Sequence, residues 1–275
     1  MNQFKINKRV FKYFILSISF FTLFSCSNDD TQTVTNLNQL IIQDEFNVDG
    51  APDSTLWNYD IGKGPGNDGW GNQELQYYTD RPENIIVEDG MLKITAIQES
   101  FEGSAYTSSR ITTKGKYEQK YGRFEARMQL PWGQGMWPAF WLLGSNIDEV
   151  SWPNCGEIDI MENRGQEPTI ISGALHGPGH SGSNFIGKNY DLVTDRVDTS
   201  FHIYGIEWGE GYVNFYIDDV LYNQITPADV PGEWVFDQPF YIIMNVAVGG
   251  NFVGSPNADT VFPQTMLIDY VRVYQ

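Results

Sequence analysis

Three carboxylic acids, Glu157, Asp159 and Glu162, lie close together near the middle of the chain. Ile158 and Ile160 separate them, and alternation of acidic and apolar residues is typical of a β-strand with one polar face. Glu157 and Asp159 therefore share a face. Two carboxyl groups on one face can hydrolyse a glycosidic bond, with one acting as nucleophile and the other as proton donor.

Glu162 does not fit simple alternation, because it follows Glu157 by five residues and this odd spacing would place it on the apolar face. An unpaired carboxylate buried there would cost free energy. We therefore predict a β-bulge around Ile160 and Met161, which returns Glu162 to the acidic face. Neighbouring acids raise one another's pKa, so one can remain protonated while another ionises, as glycoside hydrolysis requires. From spacing alone, an acidic strand facing solvent is the alternative, but the apolar residues between the acids favour a central strand.

The composition indicates one large β-rich domain with aromatic side chains available for binding. The chain has 275 residues, of which 15% are aromatic and 19% charged, together with 27 glycines and 13 prolines. Its formal net charge of −18 argues against nucleic acid as a partner and is compatible with an uncharged polysaccharide. The two cysteines, Cys26 and Cys155, predict neither a disulfide nor a cysteine metal site.

Alternating apolar and polar residues recur along most of the chain after residue 40 and predict many strands. Residues 84–87 and 91–97 flank an Asp-Gly pair, which predicts a hairpin. Residues 241–248 are almost all apolar and predict a central strand. Because no long amphipathic helix is evident, we predict an all-β fold of two packed antiparallel sheets, a sandwich or jelly roll. Further strands are predicted at residues 123–130, 201–208, 212–217, 220–225 and 267–274.

The N-terminus is typical of an export signal. Four basic residues in the first twelve positions precede a short apolar run over residues 13–24. The run ends in Leu-Phe-Ser-Cys, which resembles a bacterial lipobox and implies lipidation of Cys26. We expect residues 1–25 to be a lipoprotein signal peptide, residues 26–39 a flexible tether and residues 40–275 the folded domain. Acidic residues after the cysteine resemble a surface-export tag, so we expect an outer-membrane lipoprotein exposed at the cell surface, with a transmembrane anchor as the alternative.

Around the three acids, the sequence resembles glycoside hydrolase family 16, in particular its laminarinase-like bacterial members. The family pattern Glu-x-Asp-x-x-Glu is met at Glu157, Asp159 and Glu162. The resemblance implies a concanavalin-like β-jelly-roll with a concave substrate cleft, and a retaining reaction through a covalent glycosyl-enzyme intermediate. It implies that Glu157 is the nucleophile, Glu162 the general acid/base and Asp159 the group that orients the nucleophile, with no cofactor for catalysis. Other matching segments are residues 44–47, 70–79, 136–141, 245–250 and 268–274.

The resemblance also implies a set of residues that bind the sugar chain: Asn72, Arg110, Trp137, Trp141, Trp152, His176 and Asn245. The indoles are expected to stack on sugar rings, and His176 is expected to contact the leaving-group side near Glu162. Each residue also has a structural explanation. The tryptophans could be core residues, Asn72 a turn residue, and Arg110 part of a surface ion pair. His176 could be structural, and Asn245 could be a satisfied core amide.

A structural calcium ion is a further expectation from the resemblance. Its ligands would come from Glu45 and Asp269, at opposite ends of the domain, and from the carbonyl oxygen of Gly90. Oxygen ligands suit calcium, and the ion would pin the terminal strands together. From the sequence alone, the two acids are ordinary surface residues.

These observations predict a monomeric enzyme that cuts β-1,3-glucan of the laminarin type internally. The tryptophans of residues 137–141 and the Trp-Pro pair before the acids favour this glucan. Hydrolysis of mixed-linkage β-1,3-1,4-glucan or of a marine-type galactan is an alternative, as is transfer of the sugar to another glycan. A different class of function is a non-catalytic glycan-binding lipoprotein, which the presence of both glutamates disfavours.

Overall fold

The structure is a computed structural model, and it describes residues 37–275. The predicted signal peptide, the predicted lipidation residue Cys26 and the tether as far as residue 36 lie outside the described residues. Within residues 37–275, no helix is both long enough and apolar enough to cross a membrane.

Between residues 37 and 275, β-strands account for most of the regular structure. In chain order they are β1 (Leu40–Asp44), β2 (Asn58–Tyr59), β3 (Gln76–Tyr78), β4 (Ile85–Glu88), β5 (Met91–Phe101), β6 (Ser104–Ser108), β7 (Arg110–Thr112), β8 (Gly122–Gln129), β9 (Met136–Gly144), β10 (Glu157–Glu162), β11 (Ile170–His176), β12 (Ile186–Asp191), β13 (His202–Gly209), β14 (Tyr212–Ile217), β15 (Val220–Ile225), β16 (Phe240–Val248) and β17 (Gln264–Tyr274). The helical elements are short: a wide turn at Gly69–Gln73, α1 (Ile147–Val150) and a turn at Gly182–Asn184.

The strands form two sheets, which confirms the predicted all-β architecture. One sheet has seven strands in the order β12-β11-β10-β9-β16-β7-β2. The other has ten, in the order β15-β14-β13-β8-β17-β5-β6-β3, with β1 added on β17 and β4 on β5. Among the described strands the exception to antiparallel pairing is β3 with β6. Those two run parallel because the chain reverses twice between them, once from β4 to β5 and once from β5 to β6.

The main core lies between the two sheets. Phe124 and Met128 of β8 contribute to it from the larger sheet, and Leu142 of β9 and Met244 of β16 from the smaller one; all four are fully buried. Because successive side chains alternate, the other face of the smaller sheet is free to carry polar groups. Asn245 of β16, whose two neighbours Met244 and Val246 are core residues, lies on that other face.

The predicted hairpin is present between β4 and β5, which pair antiparallel from Ile85 opposite Ile94 to Glu88 opposite Met91. Its two turn residues, Asp89 and Gly90, have φ angles of 57° and 72°. Two left-handed residues in succession suit the twist of a two-residue hairpin, and Asp-Gly adopts them at low cost.

Candidate active site

The β-bulge predicted in β10 is present. Against β9, Asp159 pairs with Trp141 and Met161 pairs with Phe140, so two steps along β10 match one step along β9. Ile160 is the extra residue, and both it and Met161 are fully buried in the core. The bulge therefore keeps the apolar side chains inside and leaves Glu162 on the same face as Glu157. We call this face of the seven-stranded sheet the cleft face.

Two tryptophans hold the two glutamates from opposite ends of β10. The indole Nε1 of Trp152 donates to Glu157 Oε2 at 3.1 Å. The indole Nε1 of Trp137 donates to Glu162 Oε1 at 2.8 Å. Asp159 lies between them and is 4% exposed. Each predicted catalytic glutamate thus has a fixed donor, and two of the three predicted sugar-binding tryptophans lie beside the acids.

His176 lies beside Glu157 and Asp159. It pairs directly with Glu157 across β11 and β10. Its Nε2 is 3.1 Å from Asp159 Oδ2 and 3.7 Å from Glu157 Oε1. Because Nδ1 accepts a hydrogen bond from the main-chain nitrogen of Gly182 at 3.1 Å, the proton of a neutral ring lies on Nε2, facing the acids. The expected position beside Glu162 was therefore wrong, since the antiparallel register sets His176 opposite Glu157.

The environment of the three acids favours their protonated forms. Burial raises the pKa of Glu157, Asp159 and Glu162, and Asp159 raises the pKa of both glutamates further through charge repulsion. The Trp137 hydrogen bond works in the opposite direction and lowers the pKa of Glu162. The three groups therefore share fewer than three negative charges near neutral pH, so the cluster can both attack and donate a proton.

On one side of the acids, β9, β16 and β7 bring together three of the predicted sugar-binding residues. Trp141 Nε1 donates to Asn245 Oδ1 at 2.9 Å, and Asn245 pairs with Arg110 across β16 and β7. The Arg110 guanidinium carbon lies 4.8 Å from the centre of the Trp141 ring and 4.4 Å from that of Trp70. Its Nε is 2.9 Å from Asp60 Oδ2. This clamp holds the guanidinium plane in one place, and we call this region the arginine side.

Asn72 lies at the edge of the arginine side, exposed on the wide turn at Gly69–Gln73. Its Nδ2 is 3.4 Å from Glu74 Oε1. Glu74 is buried, and it accepts hydrogen bonds from Gln76 Nε2 at 2.6 Å and from Tyr78 Oη at 3.2 Å. Burial raises its pKa, while these donors and Arg110 oppose that shift. Sequence reasoning missed Glu74, although the alternation of Glu74, Gln76 and Tyr78 signals one polar strand face.

On the other side of the acids, the aromatic rings form a short row. The centre of the His176 ring is 6.1 Å from that of Trp152 and 5.7 Å from that of Phe185. Phe185 stands just before β12, the edge strand of the sheet. Sequence reasoning missed it, because only the pairing of β11 with β12 brings it near His176. We call this region the phenylalanine side.

Two groups of residues bear on metal binding. Ligand atoms of Glu157, Asp159 and His176 lie within 4.8 Å of one another, close enough to hold an ion, but these are the acid–base residues described above. For the predicted calcium site, the pairing of β17 with β1 and β5 brings Glu45, Gly90 and Asp269 to one end of the larger sheet.

The carboxylates of the predicted calcium site are already engaged by arginines. Arg272 Nε and Nη2 donate to the two oxygens of Glu45, at 2.7 and 2.9 Å. Arg127 Nη1 donates to Asp269 Oδ2 at 2.6 Å. The Glu45 side chain therefore does not fit as a calcium ligand. Main-chain carbonyls and the second oxygen of Asp269 are the donors that fit.

Comparisons with known proteins show which family the chain belongs to. Residues 72–272 match the family described as Glycosyl hydrolases family 16. A protein named Beta-glucanase from Rhodothermus marinus is 42% identical over 247 residues, which cover 86% of this chain and 85% of the relative. Glucan endo-1,3-beta-glucosidase A1 from Niallia circulans is 39% identical, and the match covers 86% of this chain but only 38% of that longer protein.

Solved structures give the same result. The laminarinase catalytic domain from Thermotoga maritima superposes with a TM-score of 0.82 at 50% identity, covering 86% of this chain and 98% of that one. The endo-beta-1,3-glucanase from Pyrococcus furiosus superposes with a TM-score of 0.83 at 44% identity, covering 88% and 98%. The chain is a glycoside hydrolase with the jelly-roll fold, and it belongs to glycosyl hydrolase family 16.

Proposed function

We propose that this chain cleaves β-1,3-glucan internally and retains the configuration of the anomeric carbon. The observation that carries the proposal is the placement of Glu157 and Glu162 on one face of β10, each held by a tryptophan N–H. A retaining hydrolase needs a nucleophile and a proton donor on either side of one glycosidic bond. The bulge brings both carboxyl groups to one face of a single strand, which supports this arrangement.

In the first step, a carboxylate oxygen of Glu157 attacks the anomeric carbon. The bond from that carbon to the glycosidic oxygen breaks, and Glu162 donates its proton to the departing oxygen. Burial raises the pKa of both glutamates and their charges repel, so the pair readily holds one proton, which this step needs on Glu162. The products are a glycosyl ester on Glu157, an ionised Glu162 and a shortened glucan.

In the second step, Glu162 takes a proton from water, and the water oxygen attacks the same anomeric carbon from the opposite face. The ester bond breaks and Glu157 regains its negative charge. Formation of the ester removes the Glu157 charge, so it also removes the mutual repulsion between the two glutamates and favours Glu162 as a base. Two inversions at one carbon leave the configuration retained.

Asp159 and His176 position the nucleophile in this scheme. The proton on His176 Nε2 faces Asp159 and Glu157, at 3.1 and 3.7 Å. Burial raises the pKa of Asp159, and a proton on this group removes the repulsion that an ionised Asp159 exerts on the glutamates, so Glu157 can carry the negative charge.

Two observations favour β-1,3-glucan as the substrate: the names of the similar structures and the negative net charge of the chain. Structures named as laminarinases or endo-β-1,3-glucanases are 42–50% identical to this chain. A non-specific endo-beta-1,3(4)-glucanase is 35% identical, and a keratan-sulfate endo-1,4-beta-galactosidase from Sphingobacterium multivorum is 32% identical. The net charge of −18 disfavours a sulfated substrate.

The test is product analysis on laminarin, mixed-linkage glucan, agarose and carrageenan. We expect a ladder of short oligosaccharides from laminarin, which shows internal cleavage. Glu157→Gln should lower kcat by at least about 10⁴-fold, while Glu149→Gln, an exposed acid of α1, should leave it unchanged. Cleavage of agarose without cleavage of laminarin would overturn the substrate, and activity remaining in Glu157→Gln would overturn the catalytic assignment.

We also propose that the mature protein is attached to the outer membrane through lipid on Cys26 and faces the cell exterior. The support is the basic segment, the short apolar run and the Leu-Phe-Ser-Cys sequence. Cells expressing the chain should incorporate labelled palmitate into it, and Cys26→Ser should abolish the label. Label retained in Cys26→Ser would contradict the lipid anchor. Protease added to whole cells should digest the protein if it faces the cell exterior.

A structural calcium ion at Gly90 and Asp269 is a further proposal, with carbonyl oxygens completing the ligands. Their convergence at one end of the larger sheet supports it. Calcium should raise Tm and chelator should lower it in the wild type, and Asp269→Asn should lose this response. An equal response to calcium in Asp269→Asn would exclude the site.

A further inference from the structure

A second group of side chains suited to sugar lies beyond the Glu162 end of β10, outside the cleft face. Trp132, in the loop between β8 and β9, is 42% exposed. It borders a pocket of about 230 Å³ whose lining residues are Trp132, Gly133, Gln134, Gln166, Asn257 and Asp259. None of these residues belongs to the acid–base site.

Hydrogen bonds to main-chain oxygens hold the three segments of this pocket together. Gly133 N donates to Gly165 O at 3.0 Å, and Gly165 N donates to Met136 O at 2.9 Å. Thr260 Oγ1 donates to Gln134 O at 2.9 Å, which ties in the loop after β16. The packing is close, since a Cβ atom on Gly165 would lie 2.5 Å from Gly133 O. The pocket is therefore formed before any ligand binds, and binding costs little ordering of the chain.

The polar groups of the pocket suit a neutral ligand rich in hydroxyls. Gln134 Nε2 and Gln166 Nε2 both donate to Val253 O, at 2.7 and 3.1 Å. Their amide oxygens are left to accept hydrogen bonds from a ligand, as is the Asp259 carboxylate. The Trp132 indole adds an apolar surface beside these acceptors. A sugar ring has the matching properties, an apolar C–H face and a rim of hydroxyl donors.

The same segments form the wall of the cleft beside the general acid/base. The Trp137 ring, whose N–H binds Glu162, has its centre 5.1 Å from that of Phe252, in the loop after β16. The Arg164 guanidinium carbon lies 4.3 Å from the centre of the Phe252 ring. Phe252 is adjacent to Val253, whose carbonyl oxygen accepts hydrogen bonds from Gln134 and Gln166 of the pocket, so the pocket and the surroundings of Glu162 share this loop.

We propose that the Trp132 pocket is a second binding site for β-glucan, which holds a glucosyl unit of the polymer outside the cleft and takes no part in bond cleavage. This inference rests on the proposed function. It predicts that the pocket contributes to retention on polymeric glucan and not to turnover of short substrates.

The experiment uses the full chain with Trp132→Ala, a second variant Gln166→Ala, and Val193→Ala as a control, since Val193 is an exposed apolar residue (80% exposed) outside the pocket. Binding to insoluble β-1,3-glucan is measured in the Glu157→Gln background, so that the polymer is not consumed. Hydrolysis of a laminari-oligosaccharide of four or five units is measured in the active background. Thermal unfolding of each variant reports whether the loop still folds.

We expect Trp132→Ala to raise the Kd for the insoluble glucan by roughly fivefold, Gln166→Ala by about twofold, and Val193→Ala not at all. The kcat/KM for the short oligosaccharide should remain within about twofold of the wild type in all three. An unchanged Kd in both pocket variants overturns the inference, and so does a parallel loss of binding and short-substrate turnover. A wild-type chain that does not cleave laminarin would instead be a failure of the proposed function.

Discussion

The two sides of the cleft face differ in how firmly their groups are held. On the arginine side, Arg110 lies between two indoles and pairs with Asp60, and Trp141 is bonded to Asn245. On the phenylalanine side, Trp152 and His176 are held through Glu157 and Gly182, but Phe185 beyond them is half-buried and β12 is largely exposed.

We infer from this difference that the arginine side binds the part of the glucan that stays on the enzyme and the phenylalanine side releases the cleaved part. Fixed groups lose little entropy when they bind a sugar, so the arginine side is suited to holding the part of the chain that stays on the enzyme. A side with fewer fixed groups binds more weakly and lets the cleaved end leave. We therefore assign the glycone to the arginine side and the leaving end to the phenylalanine side.

Among the substitutions that test this difference between the two sides, Trp141→Ala should have the largest effect. The change removes a ring surface, the hydrogen bond to Asn245 and one face of the Arg110 clamp. We expect kcat/KM on laminarin to fall roughly 100-fold, since such contacts together contribute about 2–3 kcal/mol. Steady-state kinetics with a Tm measurement checks this. A loss of less than threefold in a folded variant would contradict the claim that the arginine side holds the substrate through its fixed groups.

A smaller loss is expected from Arg110→Lys. Lysine keeps the charge but lacks the planar group that stacks between Trp70 and Trp141. KM for laminarin should rise about tenfold with kcat changed little, because the substitution affects binding away from the reacting carbon. Lys114→Arg, a lysine that forms an exposed ion pair with Asp148, is the matched control and should have no effect. A fall in kcat at constant KM would place Arg110 in the chemical step instead.

The smallest kinetic effect is expected on the phenylalanine side. Phe185→Ala removes one half-buried ring and should lower kcat/KM about threefold, with the loss confined to substrates long enough to reach past the cut bond. Comparing oligosaccharides of increasing length in the variant and the wild type checks this. A loss equal to that of Trp141→Ala would mean that the two sides contribute equally.

The fold and the catalytic strand could be predicted from the sequence because strong local constraints act there. The hairpin before β5 follows from Asp89-Gly90, and the bulge in β10 follows from the cost of burying Glu162 in the core. Strand alternation then places Trp137 and Trp141 on one face. These are properties of single strands and turns.

Contacts that depend on register between strands could not be predicted from the sequence. His176 was expected near Glu162, yet the β10–β11 pairing sets it opposite Glu157. Phe185 and Phe252 were missed for the same reason, since their partners are distant in sequence. Glu45 was expected to supply a calcium ligand, and no local pattern indicated that Arg272, paired through β1 and β17, engages its carboxylate.

The acid cluster should also make the stability of the fold depend on pH. Burial raises the pKa of Asp159 from 3.8 to about 8, so the native state binds this proton more tightly than the unfolded chain. Stability should therefore fall as the pH rises from about 4 to about 8. Asp159→Asn, which cannot ionise, should raise Tm by a few degrees at pH 8 and by little at pH 4. A gain in Tm that does not depend on pH would contradict the assignment.

The most direct test of the account is the configuration of the first product. Proton NMR during the first minutes of laminarin hydrolysis separates the β-anomer from the α-anomer before mutarotation mixes them. If Glu157 forms a covalent intermediate while Glu162 acts first as acid and then as base, the β-anomer appears first and the α-anomer grows later. Initial release of the α-anomer would show a single displacement by water, and it would contradict the roles assigned to the two glutamates.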